Sequence, residues 1–196
     1  MDGKATIKQR LTQHQDTIQR ILADEGLQDT ILKAVNAIVD CFNTGGKVFF
    51  CGNGGSAADA QHLAAEFSGR FYIDRAVLPS EALHCNTSYL TAVGNDYSFD
   101  IIYARLISGI GKEGDILVGL STSGNSTNIV KAFEVCKEKG IITIGFTGET
   151  GGKMKTVSDY LIHIPSTDTP RIQEAHITIG HIVCEFVETA IFANKK

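Results

Sequence analysis

What this sequence lacks narrows it first. It has no run of basic residues and a net charge of −4, so it offers no positive footprint of the kind that nucleic acid binding requires. No apolar run approaches bilayer-spanning length, and the opening MDGKATIKQRLTQHQD has no apolar signal-peptide core. The five cysteines (Cys41, Cys51, Cys85, Cys136 and Cys184) are odd in number, and none forms a CxxC pair. That pattern fits reduced, mostly buried thiols rather than a disulfide scaffold. Repeats, low-complexity stretches and linkers are also missing. The expectation is a single cytoplasmic domain over 1–196 that binds neither nucleic acid nor membrane.

What is present is an ordinary globular composition, 43% apolar and 20% charged, with two periods in alternation. Ile7, Leu11, His14, Ile18, Ile21 and Leu22 recur at three and four residues, as do Ile31, Val35, Ile38, Val39 and Phe42. This predicts an N-terminal helix pair over 1–44, parted at Gly26. Short apolar runs then mark strands at Lys47–Cys51, Glu81–Cys85, Asp115–Leu120, Ile141–Phe146 and Tyr160–Ile164. Helical stretches separate them at Ala57–Ser68, Phe99–Ile110 and Asn128–Lys139, with a short one near Lys153–Val157. Alternation of this kind implies right-handed crossovers and a parallel sheet. The fold class is therefore α/β, a flavodoxin-like five-stranded sheet of order 2-1-3-4-5 over 47–165. A long helix over 169–193 closes the chain, and its broad apolar face calls for cover by further copies.

In that strand order the ligand crevice opens at the carboxyl ends of the first and third strands. Both ends carry unusual loops, Gly52-Asn53-Gly54-Gly55-Ser56 and Ser121-Thr122-Ser123-Gly124-Asn125-Ser126. Four hydroxyls around one glycine at a helix start favour a phosphate. The absence of lysine rules out a Walker A loop. Gly52-x-Gly54-x-x-Ala57 formally matches the dinucleotide fingerprint, but Asp74 lies in the polar stretch FYIDRAV and does not end a second strand. Downstream of the glycine turn, His62 and Glu66 rise from one helix face, about 6 Å apart along its axis. The final helix brings Gln173 and His181. An anion cradle beside an imidazole–carboxylate pair points to acid–base chemistry on a phosphorylated small molecule.

The segments CGNGGSAADAQHLAAEFSGR, AVGNDYSFD, GLSTSGNSTN and PRIQEAHITIGH resemble the sugar isomerase (SIS) family and, more narrowly, its phosphoheptose isomerases. The resemblance runs over nearly the whole chain. It implies interconversion of sedoheptulose 7-phosphate and D-glycero-D-manno-heptose 7-phosphate, the first step toward the ADP-heptose of lipopolysaccharide cores. It implies substrate contacts from Asn53, Gly54, Gly55, Ser56, Glu66, Asn95, Asp96, Ser121, Thr122, Ser123, Ser126 and Gln173. It further implies zinc ligation by His62, Glu66, Gln173 and His181, with Glu66 and His181 as the catalytic pair, in a homo-oligomer, a tetramer. Pro170 stands where some relatives carry an acid, so neither it nor Thr169 is given a role. The residue types suit the reaction: a carboxylate to take a carbon-bound proton, an imidazole that exchanges protons near neutrality, and a far phosphate anchor.

Two tensions follow. A carboxylate bound to zinc is a poorer base, which favours a loosely held metal or one whose coordination changes during turnover. Gln173 and His181 lie eight residues apart, roughly 12 Å along a helix, which favours a site between subunits with one of them supplied by the neighbour. His176 and His84 stand in reserve near the site, and Arg70 and Arg171 are candidates for the phosphate or a neighbour's carboxylate. His14 and His163 read as face and strand residues, and Asp59 as an ordinary first-turn acid. Non-catalytic SIS relatives that sense phosphosugars or dock onto proteins lack the acid and the terminal histidine; this chain has both. An aminosugar synthase would want an amidotransferase partner domain, which is absent from this sequence.

Overall fold

The computed structural model describes residues 2–193; Met1 and residues 194–196, the outer limits of the expected domain, lie outside the described residues. Two helices open the chain, α1 (Gly3–Ala23) and α2 (Glu25–Asn43). They part at Asp24, not Gly26. The Asp24 backbone N–H closes α1 on the Ile21 carbonyl, and its carboxylate accepts the Leu27 N–H that opens α2. A side-chain oxygen can satisfy an orphan helix donor, whereas Gly26 sits inside the first turn of α2.

The sheet is parallel throughout, in the expected order β2-β1-β3-β4-β5. Its strands are β1 (Val48–Gly52), β2 (Ser80–Ala82), β3 (Ile116–Ser121), β4 (Ile142–Thr147) and β5 (Tyr160–His163). The crossovers are α3 (Gly55–Ser68), α4 (Thr87–Asp96) with a 3-10 turn and α5 (Ile102–Ile110), and α6 (Thr127–Lys139); α7 (Thr169–Phe192) closes the chain. A further 3-10 turn, Gly152–Thr156, precedes β5.

Two elements depart from expectation. β2 is three residues long, and Cys85 lies beyond it in a turn, exposed, unlike the other four cysteines. α4 is unannounced by its sequence because Val93 is its one buried residue, leaving no apolar stripe to read. Its start is set instead by Asn86, whose side chain accepts the Tyr89 N–H.

Strand residues alternate between two apolar layers. Val48, Phe50, Val118, Ile144 and Phe146 face α2, α3 and α7, while Phe49, Cys51 and Leu117 face α5 and α6. Phe67 anchors α3 to the first layer, edge-on to Phe42 with ring centroids 5.4 Å apart and tilted against Phe50. Deleting such a ring costs about 3–5 kcal/mol. By length and composition α7 could cross a membrane, contrary to the reading of the bare sequence, but half of that stretch is buried inside the chain. It is the core helix that brings the second half of the site to α3.

Candidate active site

Both central loops end in helices whose first turns lack a side-chain cap. Gly54, with φ 58°, precedes α3, and Ser126 precedes α6. Ser126 could have capped α6, but its hydroxyl meets the Ser121 hydroxyl at 2.8 Å instead. Two helix starts and a hydroxyl pair therefore stand at the carboxyl ends of β1 and β3, the kind of place where an anion is favoured. A positive φ of 65° at Gly124 turns the serine loop. The Ser123 hydroxyl accepts the Asn125 N–H, and the Asn125 side chain bridges to the Ser123 carbonyl and the Lys153 N–H. Ser56 is buried in the first turn of α3, and Thr122 is half-buried. The loops are tied to each other by a reciprocal amide pair that sequence reading missed. Asn53 and the buried Asn128 each donate to the other's carbonyl oxygen, at 3.0 and 2.9 Å.

The second half of the site arises because α3 and α7 run side by side in the same direction. Gln173 packs against Gly55, Gly180 against Leu63, and His181 against His62. An added Cβ at Gly55 would stand 2.6 Å from Gln173 Nε2, so the absence of a side chain there admits the amide. His62 Nε2 lies 2.9 Å from Glu66 Oε1 and 3.3 Å from His181 Nε2, and ligand atoms of all three residues fall within 4.8 Å of one another. His62 Nε2 cannot at once donate to the carboxylate and accept from the second imidazole. A single cation would satisfy all three lone pairs together, and two nitrogens with one oxygen form a donor set that zinc accepts.

Glu66 and His181 thus meet within one chain; of Gln173 and His181, one of which a neighbour was expected to supply, His181 is provided locally. Gln173 remains at the glycine-loop end of α3. Asn95 and Asp96 close α4, exposed, and their side chains bond to each other at 2.9 Å.

The reserve candidates find other work. His176 is fully buried; its Nε2 donates to the Thr147 carbonyl at 3.1 Å, and burial pushes its pKa down to about 4. His84 is lowered by burial, offset by the Ala57 backbone at the start of α3. Arg171 is engaged by the Glu174 carboxylate and donates to the Arg10 carbonyl at 2.7 Å, while His14 lies 2.9 Å from the other Glu174 oxygen. These pairings dock α1 on α7 and engage the Arg171 guanidinium within the chain. Arg70 ends up exposed just past α3. Burial raises the Asp59 pKa, opposed by His62 one turn on.

Sequence reading also missed the buried pair Arg75 and Glu188, joined at 2.9 Å. One signal was available: Glu188 falls on the apolar stripe of α7 between Cys184 and Ile191, where an acid needs a partner.

SIS-domain family models match residues 11–148 and 109–191. The phosphoheptose isomerase of Aneurinibacillus thermoaerophilus is 53% identical, covering 96% of each chain. Among solved structures, a phosphoheptose isomerase from Neisseria gonorrhoeae superposes with a TM-score of 0.89 at 36% identity, over 95% of this chain and 98% of that one. One from Francisella tularensis gives 0.91 at 33% identity, over 96% and 100%. On sequence and fold together, the chain belongs to the SIS-domain family, among its phosphoheptose isomerases.

Proposed function

We propose that the chain interconverts sedoheptulose 7-phosphate and D-glycero-D-manno-heptose 7-phosphate, the step that opens ADP-heptose synthesis for lipopolysaccharide cores. The observation that carries this reading is the convergence of His62, Glu66 and His181 two turns beyond an open glycine-loop helix start. Gly55 and His62 are seven residues apart, about 10 Å along α3, comparable to an extended seven-carbon sugar phosphate. The phosphate lies against the N–H groups of the two loops and the hydroxyls of Ser56, Ser121, Thr122, Ser123 and Ser126. Asn53, Gly54, Gly55 and Gln173 line the sugar's path from there.

At the carbonyl end, Glu66 takes the C1 proton of the ketose, leaving a 1,2-enediol, and returns it to C2. His181 relays the hydroxyl proton from O1 to O2, so no net proton is gained or lost. His62, Glu66 and His181 would hold a zinc ion, which would supply Lewis-acid polarisation at the sugar oxygens. Because Glu66 would both bind and abstract, the metal would be loosely held or would change its coordination during turnover. Gln173 acts on the substrate in its own chain and reaches a metal only across a subunit contact. Ile182 and Phe186 on α7 and Ile7 and Leu11 on α1 are exposed, which supports assembly with further copies of the chain; a homotetramer is the assembly we assign. In such an assembly Asn95 and Asp96 are free to meet a neighbour's substrate.

The test is solvent exchange. Incubation with sedoheptulose 7-phosphate in deuterated water should label C1 and C2, and a chelator should slow the labelling. A substrate that binds without ever exchanging would mark a sensor instead.

A further inference from the structure

We propose that Arg75 and Glu188 are positioning residues, a buried clamp that holds the Glu66 end of α3 at a set distance from His181. This rests on reading Glu66 and His181 as the reacting pair.

The clamp grows from the segment after α3, which the sequence presents only as a polar connection. Its backbone wraps around the Glu188 side chain of α7. One carboxylate oxygen accepts the Phe71 N–H at 3.0 Å, and the other accepts those of Tyr72 and Ile73 at 2.7 and 2.9 Å. Three consecutive amides and a guanidinium thus face one carboxylate. Burial works against its charge, but those four donors outweigh it and hold the Glu188 pKa below the ordinary value.

Arg75 completes the arrangement from the other side. Its Nε binds Glu188, Nη2 donates to the Glu66 carbonyl at 2.8 Å, and Nη1 donates to the Phe67 carbonyl at 2.7 Å and to that of Gly69 at 3.1 Å. The Glu66 and Phe67 carbonyls belong to the last turn of α3 and Gly69 is its C-cap, where no intrahelical donor remains. The guanidinium therefore grips the backbone of Glu66 itself while its partner carboxylate sits on α7, two turns past His181. Phe71, held by Glu188, also lays its ring 5.7 Å from the His181 ring.

Both charged side chains are 2% exposed. An apolar pair of the same volume would fill such a space at less desolvation cost. Only a planar fork reaches a carboxylate and several carbonyls at once. The phosphate loops, by contrast, lie at the opposite end of α3, eleven residues from Glu66, about 16 Å along its axis. A loosened clamp should disturb the carbonyl end and spare the anchor.

The test uses full-length Glu188→Gln, which leaves one accepting oxygen where the carboxylate had two, and Arg75→Lys, which keeps the positive charge without the fork. We measure kcat and KM for sedoheptulose 7-phosphate, zinc affinity against a chromophoric chelator, and Tm. The expected result is a kcat lowered about 10–100-fold, a zinc affinity lowered by a similar factor and a KM within about twofold of wild type, as when groups that orient metal ligands are altered. A folded variant with wild-type kcat and zinc affinity would overturn the proposal, as would a loss confined to KM. If Glu188→Gln does not fold, Arg75→Lys carries the same comparison. Should the wild type not isomerise this sugar at all, the functional reading fails, while the zinc titration still decides the clamp.

Discussion

Gly180 is a point of close contact between α7 and α3, and substituting it by alanine perturbs the site without touching a reacting group. A Cβ at this position would stand 2.6 Å from Leu63 Cδ2 and 2.7 Å from Leu63 Cδ1. Carbon atoms in contact sit about 3.5–4.0 Å apart, so relief requires Leu63 to shift or the helices to separate by roughly 1 Å. Leu63 is 1% exposed, and the kcat of the variant reports which of the two occurs. The strain falls one residue from both imidazoles, since His62 precedes Leu63 and His181 follows Gly180, and their Nε2 atoms are 3.3 Å apart. Overpacking of this kind costs about 1–3 kcal/mol, and a chain of this size loses about 2–4 °C in Tm per kcal/mol. A displacement of about 1 Å at reacting groups costs on the order of 100-fold in rate. Gly180→Ala should therefore lower kcat for sedoheptulose 7-phosphate about 100-fold while the folded fraction at 25 °C stays near one. Adding Leu63→Ala removes the clashing methyls and should recover much of the lost rate, although on its own that change costs about 2–5 kcal/mol in stability. A Gly180→Ala enzyme with a reduced Tm and an undiminished rate would refute the idea that the α3–α7 spacing sets the site.

Further outcomes follow from the same geometry. Glu66→Gln and His181→Asn should each reduce turnover about 100- to 10,000-fold with Tm little changed, so collapse of Tm in both would assign these residues to the scaffold. When Glu66→Ala and His181→Ala proteins are mixed under subunit exchange, activity should not return, because one chain supplies both residues; recovery would show that the pair is shared. His176 is held neutral in the fold, with its pKa lowered from 6.5 to about 4, so the unfolded chain binds a proton first as pH falls. Stability should be undiminished above pH 6.5 and decline toward pH 4, by on the order of 3 kcal/mol for this group. Urea unfolding of wild type and His176→Phe across that window should show a shallower slope in the variant, and identical slopes would exclude His176 as the cause.

Local chemistry made much of this molecule readable from its residues. Strands and helices alternate in period, and the glycine turn and the hydroxyl loop fall at the two strand ends where a doubly wound sheet opens. His62 and Glu66 share a face by helical spacing alone. α4 escaped notice because it buries a single residue, and Asp24 because one side chain ends one helix and begins the next. Pattern reading registers apolar stripes, and neither feature has one.

Contacts between distant segments are another matter, since nothing in either segment records its partner. That Asn128 holds Asn53, that Arg171 pairs with Glu174, and that Arg75 and Glu188 enclose each other came only from the folded chain. The sequence by itself determined which side chains could do acid–base work on a sugar phosphate and on which elements they ride. The packing of α7 alongside α3, in parallel and close enough for Gly180 to rest on Leu63, decided that His181 joins His62 and Glu66 while Gln173 stays with the glycine loop. Helical periodicity sets positions along one axis, whereas the distance between two axes depends on which surfaces fit, and that is settled only in three dimensions.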